Sequence, residues 1–325
     1  MSVLVTGAAG FIGYHVSEAL LARGEEVVGV DNMSPYYDVN LKRSRLERLQ
    51  RHNRFRFHQI NIADWEAVQE LREGSIRRIV HLAAQAGVRY SLEDLFAYAH
   101  SNLVGHLSIL ELARALPKLD HLVYASSSSI YGKNGPPFTV EHRVDQPISL
   151  YGATKKSGEL MTHCYSHLFG VPATGLRFFT AYGPWGRPDM AAFTFTRAIL
   201  AGEPIRVYND GDMRRDFTYI DDVVSGVLAV LGGPPEAANG IAPYRLYNVG
   251  NNRPENLLRY IELLEKAIGK KAELEFAPMQ PGDIKETWAD IGPIQRDFDF
   301  QPKVTIDEGI PRFVEWYRNY YGAWR

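Results

Sequence analysis

The sequence predicts an α/β fold: a doubly wound parallel sheet with a smaller, interleaved α/β lobe. Three observations carry that expectation. Short apolar runs recur through the N-terminal half, each followed by a helical pattern, which is the order expected of βα units in a parallel sheet. A glycine-punctuated turn, Gly7-Ala8-Ala9-Gly10-Phe11-Ile12-Gly13, joins the first run to the first helix. The chain has 325 residues, more than a single domain usually holds, so a second lobe is expected.

The elements follow in order. Ser2–Thr6 reads as a buried strand, and a helix runs from about Phe11 to Arg23. Glu26–Asp31 is a second strand that ends on an acid. Phe55–Ile60 is a third, closing at Asn61-Ile62-Ala63-Asp64 before a helix to about Leu71. Arg78–Leu82 ends in Ala83-Ala84-Gln85, and a long helical pattern covers about Leu95–Leu116. His121–Ala125 feeds the run Ser126-Ser127-Ser128-Ser129, and a further helix begins at Tyr151. Thr174–Phe178 is a strand leading into a loop from Phe179 to Met190, too rich in Gly and Pro to be an anonymous linker. Beyond it come a helix near Ala192–Ala201, a strand at Ile205–Tyr208, a return to the sheet at Tyr244–Val249, and helices near Glu255–Ile268 and Ile306–Tyr321. Residues 1–179 with about 219–250 are expected to form one domain, and about 180–218 with 251–325 the other lobe.

Composition narrows the class. The hydrophobic fraction of 45% and charged fraction of 23% are those of an ordinary globular protein. A net charge of −2 without any basic block argues against a nucleic-acid surface. No apolar run approaches the length of a membrane span, and no basic segment with a small-residue cleavage site precedes the first strand. A soluble cytoplasmic protein is therefore expected. The single cysteine, Cys164, excludes an internal disulfide and suits a reducing compartment. It falls in an apolar helical pattern and reads as a core residue.

A strand, a glycine-rich turn, a helix and a second strand ending on Asp31 form the context in which a dinucleotide fingerprint is credible, although the spacing G-x-x-G-x-x-G departs from G-x-G-x-x-G. Gly7 permits a tight turn, Gly10 lets backbone N–H groups approach a pyrophosphate, and Gly13 allows close packing of helix on strand. Phe11 and Ile12 open the helix whose N-terminus favours phosphate. Asp31, followed by Asn32, can accept hydrogen bonds from both ribose hydroxyls, and its charge repels a 2′-phosphate, so the expected cofactor is NAD. Asn61 and Ile62, Leu82, Ala83 and Ala84 stand at the C-terminal ends of strands, where ligands bind. Ile62 is placed to pack on adenine, and small residues at 83 and 84 admit the nicotinamide ribose or simply pack. Asn102, inside the long helix, either bonds backbone or ligand or occupies an exposed polar face.

Tyr151 and Lys155 lie one turn apart on a single helix face. An ammonium held beside a phenol favours the phenolate, which makes Tyr151 a candidate base near neutral pH. The same spacing occurs on many exposed amphipathic faces. What distinguishes it here is its place in the chain, after the serine run and after the dinucleotide signature.

That order resembles the extended short-chain dehydrogenase/reductase family, the NAD-dependent sugar-nucleotide epimerases included, with a Rossmann-type sheet, and the likeness covers essentially the whole chain. It implies Tyr151 as catalytic base, Lys155 as ribose ligand and modulator of the tyrosine, and Ser127 as partner of the reacting hydroxyl, with Ser128 and Ser129 nearby. Related dehydratases and UDP-glucuronate decarboxylases carry an acid in the segment after the fifth strand. Here Ala125–Gly132 contains none. A 4-keto sugar formed at such a site can only be reduced again, which implies epimerisation through a transient ketone, with the cofactor regenerated each cycle.

Within the family, Met33–Lys42 and Phe178–Met190 resemble the UDP-glucuronate 4-epimerases. The resemblance implies a UDP-sugar substrate. Thr180 and Arg187 are candidates for its carboxylate, although Arg187 equally fits the diphosphate or solvent. Arg89 is a further cation near the crevice, and Arg215 is a diphosphate ligand. Asp283 resembles a uridine-ribose ligand, although Gln280 stands where many relatives carry an arginine. A 4-epimerase of neutral UDP-hexoses or their N-acetyl derivatives is the alternative, and a decarboxylase a more distant one. Leu107, Leu110, Leu160 and Phe169 lie on two long helices through which related enzymes pair, so a homodimer is expected.

Overall fold

The computed structural model describes residues 2–238, 240–279 and 284–322. Its centre is a seven-stranded parallel sheet of β1 (Ser2–Thr6), β2 (Glu26–Val30), β3 (Phe55–His58), β4 (Ile76–His81), β5 (His121–Ser127), β6 (Ala173–Phe178) and β7 (Tyr244–Val249), in the order β7-β6-β5-β4-β1-β2-β3. The central strands read as continuous apolar runs because helices cover both faces. Val3 and Val5 of β1 join one hydrophobic cluster while Leu4 between them joins another, as side-chain alternation in a doubly wound sheet requires. The order reverses between β1 and β4, and a crevice opens there beyond the strand ends.

The expected strands are present with ends shifted by up to two residues, β5 running on into Ser126 and Ser127. The helix Val39–Leu49, capped by Asp38 whose carboxylate accepts from Asn40 N–H, was not expected. The long helix is interrupted: Leu95–Tyr98 and Gly105–Ala115 flank a π-helical turn at Ala99–Val104 that contains Asn102. The helix Leu150–Phe169 starts where the Ser149 hydroxyl accepts from Gly152 N–H at 3.0 Å and ends on Gly170 in a left-handed conformation (φ +68°). Cys164 on this helix is exposed, contrary to expectation. The buried stripe carries Gly158, Glu159, Thr162 and Ser166, so the apolar pattern around Cys164 belongs to a helix face that is not covered within the monomer.

The C-terminal segments build two small sheets. Thr180–Tyr182, Pro254–Asn256 and Glu286–Thr287 all pair with Arg214–Tyr219, and Ile205–Tyr208 pairs with Leu274–Ala277. Asp216 joins them to the main sheet. Its buried carboxylate accepts from the N–H groups of Asn251 (2.6 Å), Asn252 (3.1 Å) and Ala289 (3.0 Å) and from the Thr218 hydroxyl (3.0 Å). Among the described residues no helix is long and apolar enough to cross a membrane.

Candidate active site

A cavity of about 480 Å³ lies at the C-terminal ends of the strands and is walled by both sheet systems. One end is shaped by backbone. Gly7 has φ +73° and donates its N–H to Val30 C=O at 2.7 Å. A Cβ on Gly7 would lie 2.9 Å from Ala83 N, and one on Gly13 would lie 2.0 Å from Gly7 O, so turn, helix and β4 approach as only glycine allows. Gly10 caps the helix Phe11–Ala22 with no side-chain hydrogen bond and no acid in the first turn, leaving the N-terminal N–H groups for an anion. Phe11, Ile12, Asn32, Asn61, Ile62, Leu82, Ala83 and Ala84 all line this end.

Asp31 is buried, and its carboxylate accepts from Ala9 N–H at 3.2 Å and Met33 N–H at 2.8 Å. Lys42 Nζ, also buried, lies 3.5 Å from the same group. A carboxylate offers about four acceptor positions, so room remains for ribose hydroxyls. These features fit a dinucleotide: an uncapped helix N-terminus for the pyrophosphate, glycines where side chains would intrude, and an acid at the ribose end.

Asn102 does not line the cavity. Its amide accepts from Gln85 N–H at 2.8 Å and donates to Gln85 C=O at 3.0 Å and to the Thr154 hydroxyl at 3.0 Å. It thereby fixes the backbone that follows Ala84 and ties it to the helix bearing Tyr151. The π-helical turn in which it sits gave no sequence signal.

At the other end, β5 and the helix Leu150–Phe169 bring Ser127 and Tyr151 to one wall, with Ser128 and Ser129 beside them. Ser127 Oγ donates to Ser129 Oγ at 3.2 Å. Its neighbour Ser126 turns inward and donates to Glu159 at 2.7 Å, and Glu159 is held by Arg177 through bonds of 2.9 and 3.0 Å. This buried pair clamps the serine strand to the helix that carries Tyr151.

The proton affinity of Tyr151 departs from the sequence expectation. Burial pushes the phenol above its ordinary value; Arg187 is the largest opposing influence, followed by a hydrogen bond with Ser127, and Asp189 acts with the burial. Lys155 Nζ lies 6.0 Å from the centre of the Tyr151 ring and donates instead to the Ala125 carbonyl at 2.9 Å. Burial lowers Lys155 to about 8. The ammonium is thus a desolvated cation outside the cavity lining, and the cation that most opposes the effect of burial on the phenol is the Arg187 guanidinium, held by both oxygens of Asp189. Tyr36 donates to Asp189 at 3.2 Å, closing a cluster that the sequence did not reveal because Tyr36, Tyr151 and Asp189 are far apart in the chain.

Thr180, Arg89 and Arg215 also line the cavity. Arg89 lies over the Tyr208 ring at 5.1 Å, and Arg215 donates to the carbonyls of Arg214 and Lys285 at 2.9 and 3.2 Å. Asp283 and Gln280 fall outside the described residues. Asp31, at the ribose end, is the one carboxylic acid among the described residues that line the cavity.

A Rossmann-type sheet with a dinucleotide cradle facing a serine–tyrosine wall defines an NAD-dependent enzyme of the extended short-chain dehydrogenase/reductase class. The chain belongs to the NAD dependent epimerase/dehydratase family, whose model matches residues 3–250. It is 48% identical over 338 residues to a probable UDP-glucuronate 4-epimerase of Rhizobium meliloti, covering 99% of this chain and 98% of that one. It is 46% identical to UDP-glucuronate 4-epimerase 1 of Arabidopsis thaliana, with 99% and 78% covered. Among solved structures, it is similar to UDP-glucuronic acid 4-epimerase from Bacillus cereus in complex with UDP-glucuronic acid and NAD. That match has a TM-score of 0.90 and 35% identity, with 99% of this chain and 100% of that chain covered.

Proposed function

We propose that the protein interconverts UDP-glucuronate and UDP-galacturonate by NAD-dependent epimerisation at C4. The observation that supports this reading is the make-up of the cavity: Ser127 and Tyr151 share its wall with the glycine cradle, and among the described residues the one lining acid is Asp31, which belongs to the cradle. Tyr151 takes the proton from O4 as C4 is oxidised and returns it to O4 after the 4-ketone has turned its other face to the hydride donor, while Ser127 holds that oxygen by a hydrogen bond. Arg187 supplies positive charge to the phenol as its proton leaves, and Lys155, one helical turn away, is read as the ligand of the nicotinamide ribose. NAD, when bound, supplies the reversible oxidation at C4. The segment Ala125–Gly132 holds no acid to protonate a departing hydroxyl, as a dehydratase would need.

The C6 carboxylate of this substrate becomes part of a β-keto acid once C4 is a ketone, and it is lost fastest when the C5–C6 bond stands perpendicular to the carbonyl plane. We read Thr180, with neighbouring backbone N–H groups, as pinning the carboxylate away from that orientation. Arg187, whose guanidinium is already engaged by Asp189, adds charge on that side. Arg89 and Arg215 are assigned to the UDP diphosphate, and Asp283 to the uridine ribose. Residues 1–179 with about 219–250 form the NAD domain in this reading, and 180–218 with 251–325 the sugar-nucleotide lobe. Homodimerisation in the cytoplasm completes it. The exposure of Leu160 (61%), Phe169 (48%) and Leu107 (41%) on adjacent helices favours pairing there, whereas Leu110 is spent in the monomer core.

One experiment tests the reading. The nucleotide released on denaturing the purified protein is identified, and UDP-glucuronate and UDP-glucose are each followed by NMR. NAD and UDP-galacturonate are expected; turnover of UDP-glucose in preference would install the neutral-hexose alternative.

A further inference from the structure

Arg45, on the helix Val39–Leu49, is completely buried, and no motif marks it. Its guanidinium donates to four oxygens, all uncharged. Nη1 reaches the Ala9 carbonyl at 2.9 Å and the Tyr37 hydroxyl at 2.7 Å, and Nη2 reaches the carbonyls of Trp185 at 2.6 Å and Gly186 at 3.1 Å. Ala9 belongs to the glycine turn of the cofactor cradle, and Gly186 directly precedes Arg187. Trp185 has φ +60°, a conformation that a residue with a side chain holds only where its surroundings impose it. A second tie runs in parallel: His15, on the helix that opens the cradle, bonds Pro184 C=O at 2.9 Å. Burial lowers His15 to about 4, so this contact stays neutral at physiological pH.

We infer that Arg45 is a positioning residue that holds the loop bearing Arg187 against the cofactor's glycine turn, so that the cradle and the cation facing Tyr151 are set as one unit. The inference rests on the epimerase reading, which places proton transfer at Tyr151. Only a planar fork with donors on both terminal nitrogens spans the two loops at once; a lysine ammonium at the same position would serve one or the other. Among the described residues, the titratable and charged groups around Tyr151 are Arg187 and Asp189 from the tied loop, Tyr36 bonded to Asp189, Tyr98 with its ring 6.0 Å away, and Lys155 on the same helix. Arg45 itself touches none of the reacting groups. Whatever it contributes passes through the position of residues 185–187.

The test measures the pH dependence of kcat and the NAD retained after gel filtration in Arg45→Lys, Arg45→Met, Arg187→Met and the double variant Arg45→Met/Arg187→Met. Because the phenolate is the active form, drawing Arg187 away raises the pH at which activity appears. We expect the limb of the profile that rises with pH to move up by about one unit in both Arg45 variants, with several-fold less NAD retained. In the position of that limb the double variant should match Arg187→Met alone, as required of a residue that acts through another, while its NAD retention should follow Arg45→Met. If Arg45→Met does not fold, Arg45→Lys, which keeps the charge and loses the fork, carries the same comparison. A folded Arg45→Lys protein with wild-type limb and NAD content overturns the inference, as do shifts that add in the double variant. Failure of the wild type to epimerise UDP-glucuronate would instead overturn the functional reading, and NAD retention would still report on the tie.

Discussion

The two ends of the cavity are built on different principles. The cofactor end is made of backbone: its selectivity lies in atoms that are absent, since a Cβ at Gly13 has 2.0 Å to the nearest oxygen, and in a helix terminus left uncapped. The other end is made of side chains drawn from five distant segments, with Arg89, Ser127, Tyr151, Thr180 beside Arg187, and Arg215. A backbone site is rigid and written in contiguous sequence. A site of side chains is adjustable and is written nowhere in one place. The first should fail by exclusion when atoms are added, and the second by loss of chemistry when atoms are removed.

The largest effect is expected where one atom is removed from the sugar end. Tyr151→Phe deletes the proton carrier and leaves the cradle untouched, so turnover should fall by about 10²–10⁴-fold while retained NAD stays at the wild-type level. A Tyr151→Phe protein that also lost its NAD would break the separation between the two ends. The converse change adds one carbon at the other end. Gly13→Ala forces the helix off the turn, and retained NAD should drop roughly tenfold or more, with a stability cost of about 1–3 kcal/mol in thermal or urea unfolding. Normal NAD content in that variant would mean that the glycine contact is slack.

The same contrast explains what could be read beforehand. The glycine turn and Asp31 were legible because they lie within the first 31 residues and glycine spacing reports backbone geometry directly. Ser127, Tyr151 and Lys155 could be picked out as residues, but position on a helix face does not show that the ammonium turns to the Ala125 carbonyl. Arg187 was named for the substrate, yet its action on Tyr151 arises across the fold and leaves no local pattern. Lys42 and Arg45 escaped notice because a lysine and an arginine in a polar helix read as solvated; both are buried. Cys164 went the other way, since apolar periodicity marks a covered face without saying whether the monomer covers it.

A milder removal sharpens the sugar end further. Thr180→Ala takes away one hydroxyl while leaving Ser127 and Tyr151 in place, and a lost hydrogen bond to a charged group is worth about 1.5–3 kcal/mol. Epimerisation should slow by roughly 10- to 150-fold, with carbon dioxide and UDP-pentose appearing among the products. Persistent epimerisation without any decarboxylation would remove Thr180 from the task of holding the carboxylate.

The smallest expected effect runs opposite in sign to the others. Lys155 is held in a desolvated position with a single carbonyl partner, and burial lowers it to about 8 against an ordinary value of 10.5. Between those values the unfolded chain binds a proton that the folded chain has released, so stability rises with pH across that window. Below about pH 8 the folded protein carries the partly buried cation and bears the cost of its desolvation. Replacing the ammonium by an apolar group of similar length removes that cost. Lys155→Met should therefore be more stable than the wild type at pH 7, by roughly 1–3 kcal/mol, while its epimerisation collapses. Unfolding curves for the two NAD-free proteins should diverge most below pH 8 and converge as the pH approaches 10. A wild type that equals or exceeds Lys155→Met at pH 7 would show that the Ala125 carbonyl and its surroundings fully replace water around the cation. In that case the catalytic wall, like the cradle, would be free of stored cost.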